Sequence, residues 1–249
     1  MIIITGFGKK NSLGSNIARK LKEMDPDIKI MGIVDRSIPE HEIEKGADII
    51  YTVDLTNPSS WDDLDRFFCS IATGPGEIKG LINCAGMNHM DWINNISYDQ
   101  YSAVMKVNLD APIFLTKSVN QCMKDGFILN ICSMGARKAF RTSMPYNVSK
   151  AGLVMATKQM ARELYPETGN VIFGISPNQV EGSGMTLENE AVILKVRGWD
   201  KEKADQYRKS GMLVKEDTSI DQLSGFIAYL LSDRKNYIQF CGMEIQYGD

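Results

Sequence analysis

The chain has 249 residues, 43% hydrophobic and 24% charged, the balance of an ordinary soluble protein with enough material for a sizeable core. Its 28 Lys and Arg against 31 Asp and Glu give a net charge of −3, with no long basic run. Nucleic acid and membrane surfaces are therefore not expected partners.

The five cysteines (Cys69, Cys84, Cys122, Cys132 and Cys241) are odd in number and show no CxxC spacing. No disulfide or metal site is expected, and a reducing compartment, the cytoplasm, is the simple reading. The opening Met-Ile-Ile-Ile-Thr-Gly has no basic leader, and no apolar stretch is long enough to span a bilayer. Neither a signal peptide nor a transmembrane helix is expected.

Apolar runs without polar alternation, at 2–5, 29–34, 48–53, 80–84, 127–132, 171–175 and 243–246, predict about seven strands of a parallel sheet covered on both faces. Stretches at 13–24, 59–71, 98–123, 146–165 and 219–231 predict the helices between them. This alternation predicts an α/β, doubly wound (Rossmann) fold, with 1–249 as one dinucleotide-binding and catalytic domain. Pro112 predicts a kink or break in the third helix. Residues 181–217 leave the alternation; they are charged, open Glu-Gly-Ser-Gly, and predict a helical lid or insertion over the ligand edge of the sheet.

Between the first strand and the first helix runs Thr5-Gly6-Phe7-Gly8-Lys9-Lys10-Asn11-Ser12-Leu13-Gly14-Ser15. Glycines in such a turn let backbone amides approach a pyrophosphate, and the helix N-terminus favours its charge. A plain glycine-rich turn would look the same. The second strand ends at Asp35, an acidic residue at the distance that serves adenosine ribose hydroxyls. It would repel a 2′-phosphate, which favours NAD(H). Arg36, helped by Lys9 and Lys10, would instead pair with that phosphate, so NADP(H) stays open. Asp54, before Leu55, fits either an adenine amino group or a helix cap, a role for which Asn57 and Ser59 compete. Asn83-Cys84-Ala85-Gly86 offers small residues for a cofactor to lie across, or a tight turn.

Tyr146 and Lys150 are four residues apart, hence on one helix face one turn apart. An ammonium beside a phenol favours the phenolate and yields an oxygen acid/base for work near pH 7. Ser133, 13 residues upstream, is a candidate to hold a substrate oxygen. A Tyr–Lys pair alone also fits a solvated helix face.

Taken together, Thr5-Gly6 with Leu13-Gly14, Asp35, Asp54, Asn83-Cys84-Ala85-Gly86, Asn108, Ser133, Tyr146, Lys150 and Pro177 resemble the short-chain dehydrogenase/reductases, in their single-domain branch, over essentially the whole chain. The resemblance implies interconversion of a secondary alcohol and a ketone. Tyr146 would be the acid/base, Lys150 the partner that holds the nicotinamide ribose, Ser133 the substrate-oxygen contact, and Asn108 the anchor of a water leading to Lys150. The cofactor would lie against Gly6, Ser12, Leu13, Gly14, Asp35, Arg36, Asp54, Leu55, Asn83, Ala85, Gly86, Tyr146, Lys150, Pro177 and Val180. A homodimer or homotetramer packed through the helices near 98–123 and 146–165 is also implied, and Cys241–Asp249 resembles the family's closing strand and tail.

The chain departs from the family's pattern in three places. Its glycine turn is two residues longer, with Ser12 at the middle glycine and Gly8 a candidate to take over part of the contact. Asn178 replaces the glycine after Pro177 and is expected to tolerate a left-handed turn. Gly182, beside Ser183, replaces a threonine.

The substrate is expected beyond Ser133 and Tyr146. Arg137, Lys138 and Arg141 would meet an anionic group on it, or form a solvated or subunit-facing basic cluster. His89, Met90 and Trp92 are rim candidates. Met134, Met144, Met185 and Met212 are candidates for an adaptable apolar lining, with packing the plainer reading. Cys132 reads as a buried strand residue. Three rivals remain: a non-catalytic dinucleotide sensor, a nucleotide-sugar epimerase or dehydratase, and an NADP-dependent β-ketoacyl reductase.

Overall fold

Strand β1 (Ile2–Phe7) shows how the sheet is covered. Successive side chains in a strand point to opposite faces. Ile2 and Ile4 join one buried cluster, with Ile17 and Leu21 of α1 (Leu13–Met24) and Leu223 and Ile227 of α8 (Ile220–Ser232). Ile3, between them, joins the other, with Leu64 and Phe68 of α2 (Ser59–Ile71) and Leu115 of α4 (Ala111–Cys122). These facts come from a computed structural model that describes residues 1–72 and 76–248. Asp249, the end of the expected tail, lies outside the described residues.

The remaining main strands are β2 (Ile30–Asp35), β3 (Ile49–Val53), β4 (Gly80–Asn83), β5 (Phe127–Ile131), β6 (Val171–Pro177) and β9 (Glu244–Tyr247). They pair in parallel in the order β3-β2-β1-β4-β5-β6-β9. The order reverses between β1 and β4, and in such sheets ligands bind outside the carboxyl ends of the strands at that point. No helix among the described residues is long and apolar enough to cross a membrane.

The helix expected at 98–123 is three pieces: α3 (Tyr98–Met105), a wide π turn over Lys106–Asp110, and α4. Pro112 has no N–H for the carbonyl of Asn108, its partner in a regular helix. The ladder widens there instead, with the Ala111 N–H donating to Lys106 O. Helix α5 (Met144–Thr168) follows β5.

The 181–217 region holds α6 (Gly184–Arg197) and α7 (Lys201–Ser210), capped by Ser183 and Asp200. A two-stranded parallel ladder, β7 (Val180–Glu181) with β8 (Thr218–Ser219), closes its base, a feature the sequence did not predict. Neither α6 nor α7 has a fully buried residue.

Candidate active site

Tyr146 and Lys150 occupy the first two turns of α5. Lys150 is only 4% exposed, and its Nζ donates to Ile131 O at 2.8 Å and sits 5.8 Å from the centroid of the Tyr146 ring. A buried ammonium is tolerable only when well bonded. Gly86 closes in from the end of β4: a Cβ built there would lie 3.6 Å from Asn108 Oδ1 and 3.9 Å from Lys150 Nζ. Asn108 is fully buried. Its Oδ1 accepts from Met87 N, and its Nδ2 donates to Met87 O and Ser149 Oγ, all within 3.0 Å. The π turn thus clamps the β4 loop to α5. Ser133 Oγ accepts from Gly135 N at 3.0 Å. A Cβ on Gly135 would lie 3.4 Å from Ser133 Oγ and 3.5 Å from Tyr146 Cε1, so both side chains flank one glycine.

Gly86, Ser133, Tyr146 and Lys150 line a cleft of about 1450 Å³ along the carboxyl ends of the strands, and Asn108 is buried behind them. Its far wall is the glycine turn. Gly6 has φ +69°, and a Cβ there would come within 2.7 Å of Ala85 N. Thr5 Oγ1 accepts from Cys84 N and Ala85 N, which ties the turns after β1 and β4 together. Ser12 caps α1, accepting from Ser15 N at 3.1 Å, and no acidic residue stands in the helix's first turn. That cradle fits a dinucleotide: a close backbone approach, then a helix N-terminus without opposing charge.

The family model described as enoyl-(acyl carrier protein) reductase matches residues 6–245. The chain belongs to the short-chain dehydrogenase/reductase family. It is 26% identical over 208 residues to an acetoacetyl-CoA reductase of Allochromatium vinosum, covering 82% of this chain and 78% of that one. Its fold matches a 4-hydroxyisoleucine dehydrogenase solved with NADH (TM-score 0.79, 22% identity, 99% and 96% of the two chains). It also matches a short-chain dehydrogenase of Burkholderia cenocepacia solved with NADP (TM-score 0.78, 18% identity, 99% and 95%). The protein is an oxidoreductase of this family, whose members use nicotinamide dinucleotides.

Not every residue singled out from the sequence of this dehydrogenase/reductase faces the cleft. Gly6, Ser12, Leu13, Asp35, Leu55, Ala85, Gly86, Ser133, Tyr146, Lys150, Pro177 and Val180 line it. Gly14 packs beneath the turn, where a Cβ would meet Gly6 O at 2.7 Å. Gly8 leans on Val34 and gives its N–H to Ser15 Oγ, so it serves the turn rather than the cleft. Arg36 is exposed beyond the cleft edge. Asp54 Oδ1 is used by Thr56 N and Oγ1 at 2.8 and 2.7 Å. The Asn83 side chain turns into the core and donates to Asn130 Oδ1, whose own amide continues to Thr157 Oγ1. Asp35 Oδ1 takes Ser37 N and Oγ, while the residue lines the cleft.

Asn178 does not adopt the left-handed backbone expected of it. Its amide donates to Glu216 O and Gly248 O, and its Oδ1 accepts from Thr218 N. One carboxamide therefore ties β6, the foot of the 181–217 region and the chain's tail. Ser183 caps α6 beside Gly182.

None of the basic residues between Ser133 and Tyr146 lines the cleft. Arg137 pairs with Glu244, Lys138 donates to Gly211 O, and Arg141 is exposed. His89 and Met90 line the cleft with Met134 and Met185, while Trp92, Met144 and Met212 do not. Burial pushes the Cys84 and Cys132 thiols up to about 12, so both stay neutral, in keeping with a strand role for Cys132. Thr5 entered the sequence reading only as part of the glycine turn; the bonds of its hydroxyl to the turn after β4 carry no spacing signal.

Proposed function

We propose that this protein interconverts a secondary alcohol and a ketone, with Tyr146 as acid/base. The observation that carries the reading is the buried Lys150 ammonium, fixed by Ile131 O beside the Tyr146 ring. A bound nicotinamide dinucleotide would supply or accept the hydride. Tyr146 Oη gives a proton to the carbonyl oxygen during reduction, or takes one from the hydroxyl during oxidation. Ser133 Oγ holds the same oxygen. Lys150, its ammonium fixed beside the Tyr146 ring, is the residue to hold the ribose. The Asn108 clamp keeps Gly86 and Lys150 in register.

NAD(H) is the preferred cofactor in this reading. Asp35 Oδ2 would accept from the adenosine ribose, and its charge would oppose a 2′-phosphate. A second reading, an NADP-dependent acyl-thioester β-keto reductase, is favoured by Lys9 and Lys10 on the cleft and by the similarity to an acetoacetyl-CoA reductase. The intact Tyr146, Lys150, Ser133 and Asn108 set speaks against a pure sensor.

The chain would act as one domain, with 181–217 as its substrate lid, in the cytoplasm and as a homodimer or homotetramer. Exposed apolar residues on α4 and α5 (Phe114, Val148 and Met155) support assembly through those helices. A screen of hydroxy and keto compounds with each dinucleotide, read at the reduced-nicotinamide absorbance band, tests the activity. No turnover of any compound would remove it.

A further inference from the structure

Arg197, the last residue of α6, lines the cleft and is half-buried. Desolvation pushes its pKa down; the Tyr207 phenol opposes that, and the neighbouring Arg141 adds to it. No carboxylate answers its charge among the described residues, in contrast to Arg208 of α7, which pairs with both Asp205 and Asp217. A guanidinium withdrawn from water without a counter-ion is an unfinished interaction.

Arg197 is also seated with care. Its Nε donates to Thr142 Oγ1 at 2.9 Å and its Nη2 to Arg141 O. Its Cζ lies over the rings of Trp199 and Tyr207, 5.0 and 5.2 Å from their centroids. Thr142 has φ +61°, a left-handed backbone that a β-branched residue rarely adopts, and such strain concentrates at functional sites. This seat uses two of the five guanidinium N–H groups and leaves Nη1 open. Thr142 lies four residues before Tyr146, and Arg197 and Tyr146 line the same cleft. Asn147, next to Tyr146, also lines the cleft; its Nδ2 donates to Lys138 O, and its buried Oδ1 has no partner.

We infer that Arg197 is the counter-charge for an oxyanion, carboxylate or phosphate, carried by the substrate, and so sets which ketones and alcohols are accepted. The inference deepens the alcohol–ketone reading above and rests on it. Arg suits the task because its planar fork meets such groups with two parallel bonds.

Matched pairs test it: short keto acids against their methyl esters for carboxylate, and dihydroxyacetone phosphate against dihydroxyacetone for phosphate. The native protein should favour the charged member of one pair by about tenfold or more in kcat/KM. Arg197→Gln should erase that ratio, and Arg197→Lys, which keeps charge without the fork, should recover part of it. Equal rates within every pair for the native protein would overturn the inference. So would an equal loss on both members in Arg197→Gln, or a lysine no better than glutamine, since either result leaves Arg197 as a lid anchor. If nothing is turned over, melting shifts with the same compounds decide separately. A shift with the charged member that Arg197→Gln abolishes upholds the oxyanion site while the oxidoreductase reading falls; no shift overturns the site.

Discussion

The wall that carries Tyr146 and the flap that faces it are built differently. On the wall, Lys150, Asn108 and Ser149 are buried and bonded to main chain or to each other. On the flap, α6 and α7 bury no residue fully and are held by side-chain tethers: Lys9 to Glu188, Trp92 Nε1 to Val196 O, Arg197 to residues 141 and 142, and Lys138 to Gly211. Regions with few buried contacts open at low cost, and regions bonded through their backbone do not. In the proposed reading the chemistry would sit on the more tightly bonded elements, and the choice of substrate on the less tightly bonded part.

The contrast is open to attack, beginning with the wall. Tyr146→Phe should lower kcat by about a thousandfold. Dinucleotide affinity, from titration of the protein's fluorescence, should stay within about twofold; near-normal turnover would mean that the wall does not carry the proton. Asn108→Ala removes three bonds of a buried side chain and should cost about 1–3 kcal/mol of stability in denaturant unfolding, with turnover falling too. A cost near zero would say that the π turn is not a clamp.

At the cofactor end, Asp35→Ala should move the NAD/NADP affinity ratio about tenfold toward NADP, the size of one lost charge-assisted bond. An unchanged ratio would detach the carboxylate from the ribose. The smallest effect belongs to the flap. Lys9→Ala breaks an exposed bridge and should change stability by less than about 1 kcal/mol. The same variant should raise KM, because the flap closes less firmly over the glycine turn. A large loss of stability there would erase the distinction between the two regions.

How far the sequence reveals this design follows the same division. The seven strands were legible because runs such as Ile2–Ile4 and Phe127–Leu129 are apolar without interruption, which a sheet covered on both faces requires. Tyr146 and Lys150 were legible because helical spacing dictates their shared face. Pro112 announced a break but not its form, since a proline says which bond is lost and not where the ladder resumes. The sequence left Arg137 and Lys138 open between a substrate anion and a surface cluster: Glu244 and Gly211, which they contact, are 107 and 73 residues away, and no local pattern records that. Arg197 was invisible for the converse reason. It stands in a charged helix like any surface arginine, and only the fold brings Trp199, Tyr207 and the strained Thr142 around it.

The grip of Asn178 on three stretches of chain has a use at the bench. Its anchor points lie at 216, 218 and 248, outside the span 184–210 that overhangs the cleft. A combinatorial library confined to that overhang would leave its hinge buttoned, so new selectivities could be bred without reworking the engine underneath.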